Sequence, residues 1–113
     1  MQRRSRATAA PRGSAPLFAA LGDETRLRLV ARLCDSPLSI SRLTAGSSVT
    51  RQAISKHLRV MEEAGLVRST RRGRERVWQL EPRRLRDARH YLDLISKQWD
   101  NALGRLRELV ERP

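Results

Sequence analysis

The sequence lacks the features shared by disulfide-bonded, secreted and membrane-spanning proteins. Cys34 is its only cysteine, so no disulfide can form within the chain. The leading residues 1–6 have no apolar stretch of the kind found in a secretory signal, and no apolar run approaches the roughly 18 residues that cross a bilayer. We therefore expect a cytoplasmic protein with no membrane partner.

The sequence also lacks the residue patterns of common catalytic sites. It has no Ser/His/Asp set, no pair of carboxylates in an evident cleft and no glycine-rich loop that could hold phosphates. These absences predict a protein that is not an enzyme and that uses no cofactor.

Basic residues, in contrast, are abundant. The 113 residues include 24 lysines and arginines against 12 acidic residues, which gives a formal charge of +12. A chain of this length forms one domain, and so large an excess of positive charge indicates a polyanionic partner such as nucleic acid. Residues 1–15 contain four of the arginines, no acidic residue and many Pro, Gly, Ser and Ala residues. This composition predicts a disordered basic tail at 1–15, followed by a folded domain at 16–113.

Apolar spacing and capping residues predict four helices in the first half of the chain. The first runs from Pro16 to Gly22, and Asp23, Ser39 and Thr50 are placed to cap the next three. In the second helix, apolar residues at i, i+3, i+4 and i+7 predict a buried stripe of Leu27, Val30, Ala31 and Cys34. Its position on that stripe predicts that Cys34 is an inert core thiol, and the alternative is a redox-sensitive thiol.

The remaining pattern consists of a hairpin and one long helix. The fourth helix is predicted over residues 51–64, and Leu66–Thr70 and Arg76–Leu80 then form two strands around the five-residue loop 71–75. After Pro82, apolar residues spaced alternately by three and four continue to Leu109. Such a helix is roughly 40 Å long, more than a small core covers, so part of its apolar face is expected to meet another subunit. The expected fold is mainly α with a small β-hairpin, a winged helix-turn-helix with a long C-terminal dimerisation helix.

The fourth helix and the hairpin are the expected contacts to double-stranded DNA. In a winged helix-turn-helix the second helix of the motif enters the major groove, while the wing follows the backbone or the minor groove. Arg51 can donate twice to guanine, Gln52 can bond adenine, and Ser55 can bond a base or a phosphate. Lys56 and His57 are better placed for phosphates. The complete predicted DNA-binding set is Thr50, Arg51, Gln52, Ser55, Lys56, His57, Arg59, Arg71, Arg72 and Arg74.

Three stretches of the sequence resemble the ArsR family of winged-helix repressors. They are, in order, Ala20–Leu29 (ALGDETRLRL), Thr50–Leu58 (TRQAISKHL) and Glu63–Val67 (EAGLV). The resemblance covers the chain from about Leu17 onward and implies a homodimer that binds an imperfect inverted repeat and represses transcription. It also implies that the first and last helices form the dimer interface, where the apolar candidates are Leu17, Phe18, Leu21, Leu92, Ile95, Trp99, Leu103 and Leu106.

The sequence departs from the metal-sensing members of that family. Where many of those carry a Cys-x-Cys pair, this chain has Leu38–Ser41 and no second cysteine. The last helix contains Asp87 and His90 but no second histidine, so a coordination shell would be incomplete and His90 is interpreted as a surface or interface residue. Trp99 with Asp100 and Leu103 resembles a metal-independent branch of the family, and no metal site is expected.

Two other functions remain open from the sequence alone. A general DNA-compacting protein would use the same +12 charge and basic tail, and would bind without sequence preference. A ligand-responsive switch would hold a small molecule between the last helix and the core, although no residue identifies that ligand. The polar helix face and the wing arginines also have a plain interpretation as solvated surface, which the order of helix, turn, helix and basic hairpin disfavours.

Overall fold

The computed structural model describes residues 13–112, along which eight helices and strands follow one another. The helices are α1 Ser14–Leu21, α2 Glu24–Asp35, α3 Ile40–Thr44, α4 Arg51–Glu63 and α5 Pro82–Glu111, and the strands are β1 Leu38–Ser39, β2 Val67–Arg72 and β3 Glu75–Leu80. This mainly helical architecture with a small sheet and a long last helix confirms the predicted winged helix-turn-helix. The first helix begins two residues earlier than predicted, and the predicted basic tail lies, as far as residue 12, outside the described residues.

The three predicted helix N-caps are confirmed by side-chain hydrogen bonds. In each case the side-chain oxygen accepts from the backbone N–H three residues later, at 3.0 Å for Asp23, 3.2 Å for Ser39 and 3.1 Å for Thr50. Each bond satisfies one of the donors that a helix leaves unpaired in its first turn. The caps therefore fix the residues at which α2, α3 and α4 begin.

The wing is longer, and its turn tighter, than the sequence pattern indicated. β2 extends to Arg72 and β3 begins at Glu75, so the turn consists of Gly73 and Arg74 rather than five residues. Gly73 has a φ of 61°, and within residues 13–112 only glycines have a positive φ. Glycine at the first central position is typical of the type II′ turn, whose twist matches that of the paired strands.

A third strand, β1, was not predicted because it has only two residues. Leu38 and Ser39 pair antiparallel with Trp78 and Val77 of β3, which gives a three-stranded sheet in the order β1-β3-β2. Ser39 and Trp78 are both buried. The pairing ties the chain segment before α3 to the wing, and so fixes the helix-turn-helix relative to the hairpin.

The core lies between α1, α2, the base of the wing and the two helices of the helix-turn-helix motif, α3 and α4. The largest fully buried side chains are Leu17, Leu43, Ile54, Leu58, Met61 and Leu66. The three that belong to α4 have the predicted spacing of i, i+4 and i+7, so they share one face of that helix. The opposite face of α4 consequently points to solvent.

The predicted buried stripe of α2 is wrong for Leu27, Ala31 and Cys34, whereas Val30 is half-buried and packs against the core. The α2 residues that face the core are Leu29 and Leu33, at 3% and 4% exposed, whereas Leu27 is 51% exposed and Cys34 lies on the surface. α2 has apolar residues on two faces, and because both sets have helical spacing, periodicity alone selects the wrong one. Cys34 is therefore an exposed thiol and not a core residue.

α5 packs against the rest of the chain only through its N-terminal part. Ala88 is buried and Leu85, Tyr91 and Leu94 are half-buried, whereas from residue 95 to residue 111 every side chain is exposed except the half-buried Ala102. A helix of 30 residues is about 45 Å long. No helix within residues 13–112 combines the length and the hydropathy that a bilayer span requires.

Candidate nucleic-acid interface

The outward face of α4 is polar and open to solvent. Arg51, Gln52, Ser55, Lys56 and Arg59 line one open depression of about 450 Å³, and all of them except the half-buried Ser55 are exposed. The apolar residues on the other side of α4 anchor the helix in the core, which fixes the direction in which these polar side chains point. The structure thus brings five of the predicted DNA-binding residues together on one surface, with three basic groups among them.

Thr50 and His57 are placed differently from those five residues. The Thr50 hydroxyl is the N-cap acceptor of α4. His57 faces α2, where its Nδ1 lies 3.2 Å from Nη1 of Arg26 and 3.8 Å from the Asp23 carboxylate, and its side chain is only 22% exposed. His57 was predicted to contact phosphates together with Lys56. The structure corrects its position, because the His57 side chain is turned toward α2 and away from solvent.

The small cluster around His57 joins three helices. Arg26 donates from Nε to the backbone oxygen of Ala20 in α1 at 2.6 Å, and its Nη1 approaches His57 of α4. Since a guanidinium can only donate, this contact needs His57 Nδ1 as an acceptor, without a proton. The pKa of Asp23 lies below its ordinary value, mainly because the carboxylate accepts the Arg26 backbone N–H, and the Arg26 charge adds to this effect against the opposing effect of partial burial.

The wing carries a second group of exposed arginines. Arg71, Arg72 and Arg74, the predicted wing contacts, are all exposed, and Arg71 donates from Nε to the backbone oxygen of Gly73 at 3.3 Å. Across the strands Arg71 is directly opposite Arg76. Two like charges in this position disfavour the hairpin, and an anion between them relieves the repulsion.

Arg76 is therefore a further exposed wing arginine, which was not among the predicted DNA contacts. Its Nη1 donates to the Ser69 hydroxyl at 2.8 Å, which holds the guanidinium over one face of the hairpin. The length of the turn is the feature that identifies Arg76, because only a two-residue turn places residue 76 opposite residue 71. With the five-residue loop that was predicted, no such pairing follows.

Three other arginines donate hydrogen bonds to backbone oxygens of their own chain. Arg26 donates to Ala20 at the end of α1; Arg32 donates to the backbone oxygens of Arg42 and Leu43 at the end of α3, both at 2.9 Å. Arg84 donates from Nε to the backbone oxygen of Ala64, at the end of α4, at 2.8 Å. Each guanidinium satisfies carbonyls that a helix leaves unpaired at its C-terminus, where the helix dipole also favours a positive charge.

The apolar residues predicted for a dimer interface fall into two groups. Leu17 is fully buried in the core of its own chain, so it has no exposed surface that could contact a second copy. Its predicted place in the dimer interface is corrected. Phe18 and Leu21 are half-buried, and the Phe18 ring lies 5.6 Å from that of Tyr91 on α5. The five α5 candidates are all exposed, at 42–63% of their surface: Leu92, Ile95, Trp99, Leu103 and Leu106.

Comparisons with known proteins agree with this geometry. Residues 21–70 match the model of a helix-turn-helix domain family. The chain is 38% identical over 92 residues to the HTH-type transcriptional regulator Rv2034 of Mycobacterium tuberculosis, an alignment that covers 81% of this chain and 83% of that protein. It is also 35% identical to the solved ArsR-like transcriptional regulator from Rhodococcus sp. RHA1, with a TM-score of 0.78 over 89% of this chain and 95% of that one.

A more distant structure shows the same fold. The homodimeric winged helix-turn-helix DNA-binding domain Mb0332 of Mycobacterium bovis is superimposed with a TM-score of 0.62. The match covers 93% of this chain and 95% of that one, at 20% sequence identity. At that identity the likeness concerns the arrangement of the helices and the wing.

Proposed function

Since this chain belongs to the ArsR family of winged helix-turn-helix transcriptional regulators, we propose that it is a sequence-specific repressor that binds an inverted-repeat operator as a homodimer. In this proposal α4 reads base edges in the major groove, and the wing contacts phosphates or the minor groove. We further propose that no metal controls it, because the chain has one cysteine, and Asp87 is paired with Arg84 at 3.2 Å.

The observation that carries the proposal is the outward face of α4. Arg51 and Gln52 lie exposed on the first turn of the helix, and these two residue types form bidentate bonds with guanine and adenine. Lys56 and Arg59 follow on the same depression, where they suit phosphates flanking the read bases. A recognition helix of this kind reads sequence through its N-terminal residues and takes its position from phosphate contacts.

The homodimer is supported by the apolar stripe of α5. The exposed apolar face of α5 is not packed against its own chain. A long apolar surface in contact with water is unfavourable, and such surfaces mark sites of protein association. Pairing two copies through α5 and α1 covers Phe18, Leu92, Ile95 and Trp99, and it presents two copies of α4 at a fixed separation. Two reading helices at a fixed separation recognise a site with two-fold symmetry.

The test is a comparison of two duplexes, one from the region upstream of the protein's own gene and one with the same composition in scrambled order. We expect the first duplex to be retarded in a gel at lower protein concentration than the second, and the difference to persist as salt is raised. Equal binding of both duplexes at every salt concentration contradicts the proposal and supports a sequence-blind DNA-compacting protein instead.

One observation favours a ligand-responsive switch as the second candidate. Between α1 and α5 lies an open depression of about 440 Å³, lined by Ser14, Ala15, Phe18, Tyr91, Leu92 and Ile95. It is the place where such a switch would hold an apolar molecule, next to the last helix. The same residues belong to the proposed dimer face, and a homodimer whose operator affinity is unchanged by a panel of small apolar and aromatic molecules contradicts this second candidate.

A further inference from the structure

An apolar stripe on α2 points away from the core of its own chain. Leu27, Ala31 and Cys34 are spaced i, i+4 and i+7, so they lie along one face of the helix, and all three are exposed. Leu27 exposes 51% of its surface. Among the large exposed apolar side chains of residues 13–112, all the others lie on α5, which makes this stripe the second exposed apolar feature of the described chain.

The stripe adjoins the surface on which the two copies are proposed to meet. At its C-terminal end, Cys34 shares one open groove of about 490 Å³ with Pro82 and Leu85 at the start of α5. At its N-terminal end, α2 is joined to α1 through the Arg26 bond to Ala20. The two ends of α2 thus lie next to α1 and next to the start of α5.

The far end of α5 has no apolar counterpart on its own chain. From Leu103 to Val110 the helix extends a further two turns, and Leu103, Leu106, Leu109 and Val110 are exposed by 44–75%. In a two-fold symmetric dimer only residues near the crossing point meet their own counterparts, and residues far from it meet different elements of the other copy. α1 has eight residues, about 12 Å, which is too short to cover both the middle and the end of a helix of about 45 Å.

We propose that in the homodimer the end of α5, Leu103–Val110, lies along the Leu27–Ala31–Cys34 stripe of α2 in the partner subunit. The inference rests on the proposed homodimer and adds a third helix to its interface. The contact places the end of α5 one helix away from the partner's reading surface, because α2 is joined to α4 through Arg26 and His57. Dimer packing and the direction of α4 are thereby linked.

The single native cysteine allows a direct test by cross-linking. In the variant Leu106→Cys, a short bismaleimide reagent is expected to join Cys34 of one copy to the new cysteine of the other, giving a covalent dimer on a denaturing gel. The matched control is Arg105→Cys, an exposed neighbour that lies about 100° around the helix axis and is expected to give little product. Adding Cys34→Ser to the Leu106→Cys variant is expected to remove the product, which excludes a link between the two new cysteines.

Sedimentation of the same samples separates failure of this inference from failure of the proposed function. A chain that sediments as a dimer but cross-links no better in Leu106→Cys than in Arg105→Cys overturns the α2 contact and leaves the dimer in place. A chain that sediments as a monomer overturns the dimer, and this inference with it. As a second measurement, Leu27→Glu is expected to raise the dimer dissociation constant at least about tenfold while the helical circular dichroism is kept, since Leu27 is not a core residue.

Discussion

The arginines of this chain fall into two groups: some bind backbone oxygens at the ends of helices, and others are exposed on α4 and the wing. Arg26, Arg32 and Arg84 donate to the last carbonyls of α1, α3 and α4, so their charge is bound within the fold. Arg51 and Arg72 are exposed on the helix and the wing and have no such function. A net charge of +12 therefore indicates a nucleic-acid partner without identifying which residues touch it.

The two exposed groups are expected to respond differently to substitution. Arg51→Ala or Gln52→Ala removes a bidentate base contact, so we expect a loss of about 1–3 kcal/mol on the preferred duplex and little on a scrambled one. Arg72→Ala removes a phosphate contact, so all duplexes are expected to weaken alike and the slope of log affinity against log salt to fall by about one. Binding titrations of both duplexes over a salt series measure this, and a uniform loss in the α4 variants contradicts the base-reading assignment.

Asp23 gives a prediction for stability against pH. Its pKa is lower in the folded chain than its ordinary value of 3.8, so the ionised carboxylate stabilises the fold above that pH. The contribution is lost as the pH falls through the folded pKa. Asp23→Asn keeps a capping oxygen for α2 but cannot titrate, and we expect its free energy of unfolding to fall less steeply below pH about 4 than that of the unchanged chain. Urea unfolding over an acid pH series checks this, and parallel curves contradict it.

At the level of helices and strands, local signals were readable from the sequence and non-local ones were not. The caps at Asp23, Ser39 and Thr50 depend on residues three positions apart, and the sequence predicts all three. β1 depends on pairing with Trp78, some 40 positions along the chain, and two residues carry no strand pattern of their own. The face of α2 that is buried depends on which neighbours pack there, because Leu29 and Leu27 have equal claims by spacing.

The same limit applies to the site. The five residues on the outward face of α4 could be predicted because the apolar face of that helix is unambiguous, and the polar face follows from it. His57 could not be placed, since its partners Asp23 and Arg26 come from a helix about 30 residues earlier. Arg76 could not be placed either, because its position opposite Arg71 depends on the length of the turn.

Arg84 connects three elements, and its removal is expected to destabilise the fold without touching the reading surface. Its side chain is 17% exposed and donates to the backbone oxygens of Ala64 and Gly13 and to the Asp87 carboxylate. Arg84→Ala leaves the end of α4 with an unsatisfied carbonyl, so we expect a loss of about 1–3 kcal/mol in the free energy of unfolding. The control is Arg83→Ala, which removes the same charge from an exposed neighbour. Equal midpoints of urea unfolding for the two variants contradict the role of Arg84.

For the whole molecule, the main feature is that α5 is much longer than the core against which it packs. The radius of gyration is 19.0 Å, while a compact domain of 100 residues has about 13 Å. The difference reflects a helix that extends well past the body to which it is attached. Because that extension is apolar along one side, the proposed function depends on a second copy that covers this surface and supplies a second α4.

Trp99→Glu tests this dependence. Trp99 exposes 63% of its surface in the single chain, so the substitution leaves the core intact but places a charge at the centre of the proposed dimer face. Asn101→Glu is the matched control, since it introduces the same charge on an exposed site two residues away, about 200° around the helix axis. We expect Trp99→Glu to sediment as a monomer with unchanged helical content, and to bind a full operator no more tightly than a half-site, because the second contact is no longer intramolecular. Asn101→Glu is expected to remain dimeric and to keep its preference for the full site. If Trp99→Glu remains a dimer and also keeps that preference, α5 does not pair the two reading helices.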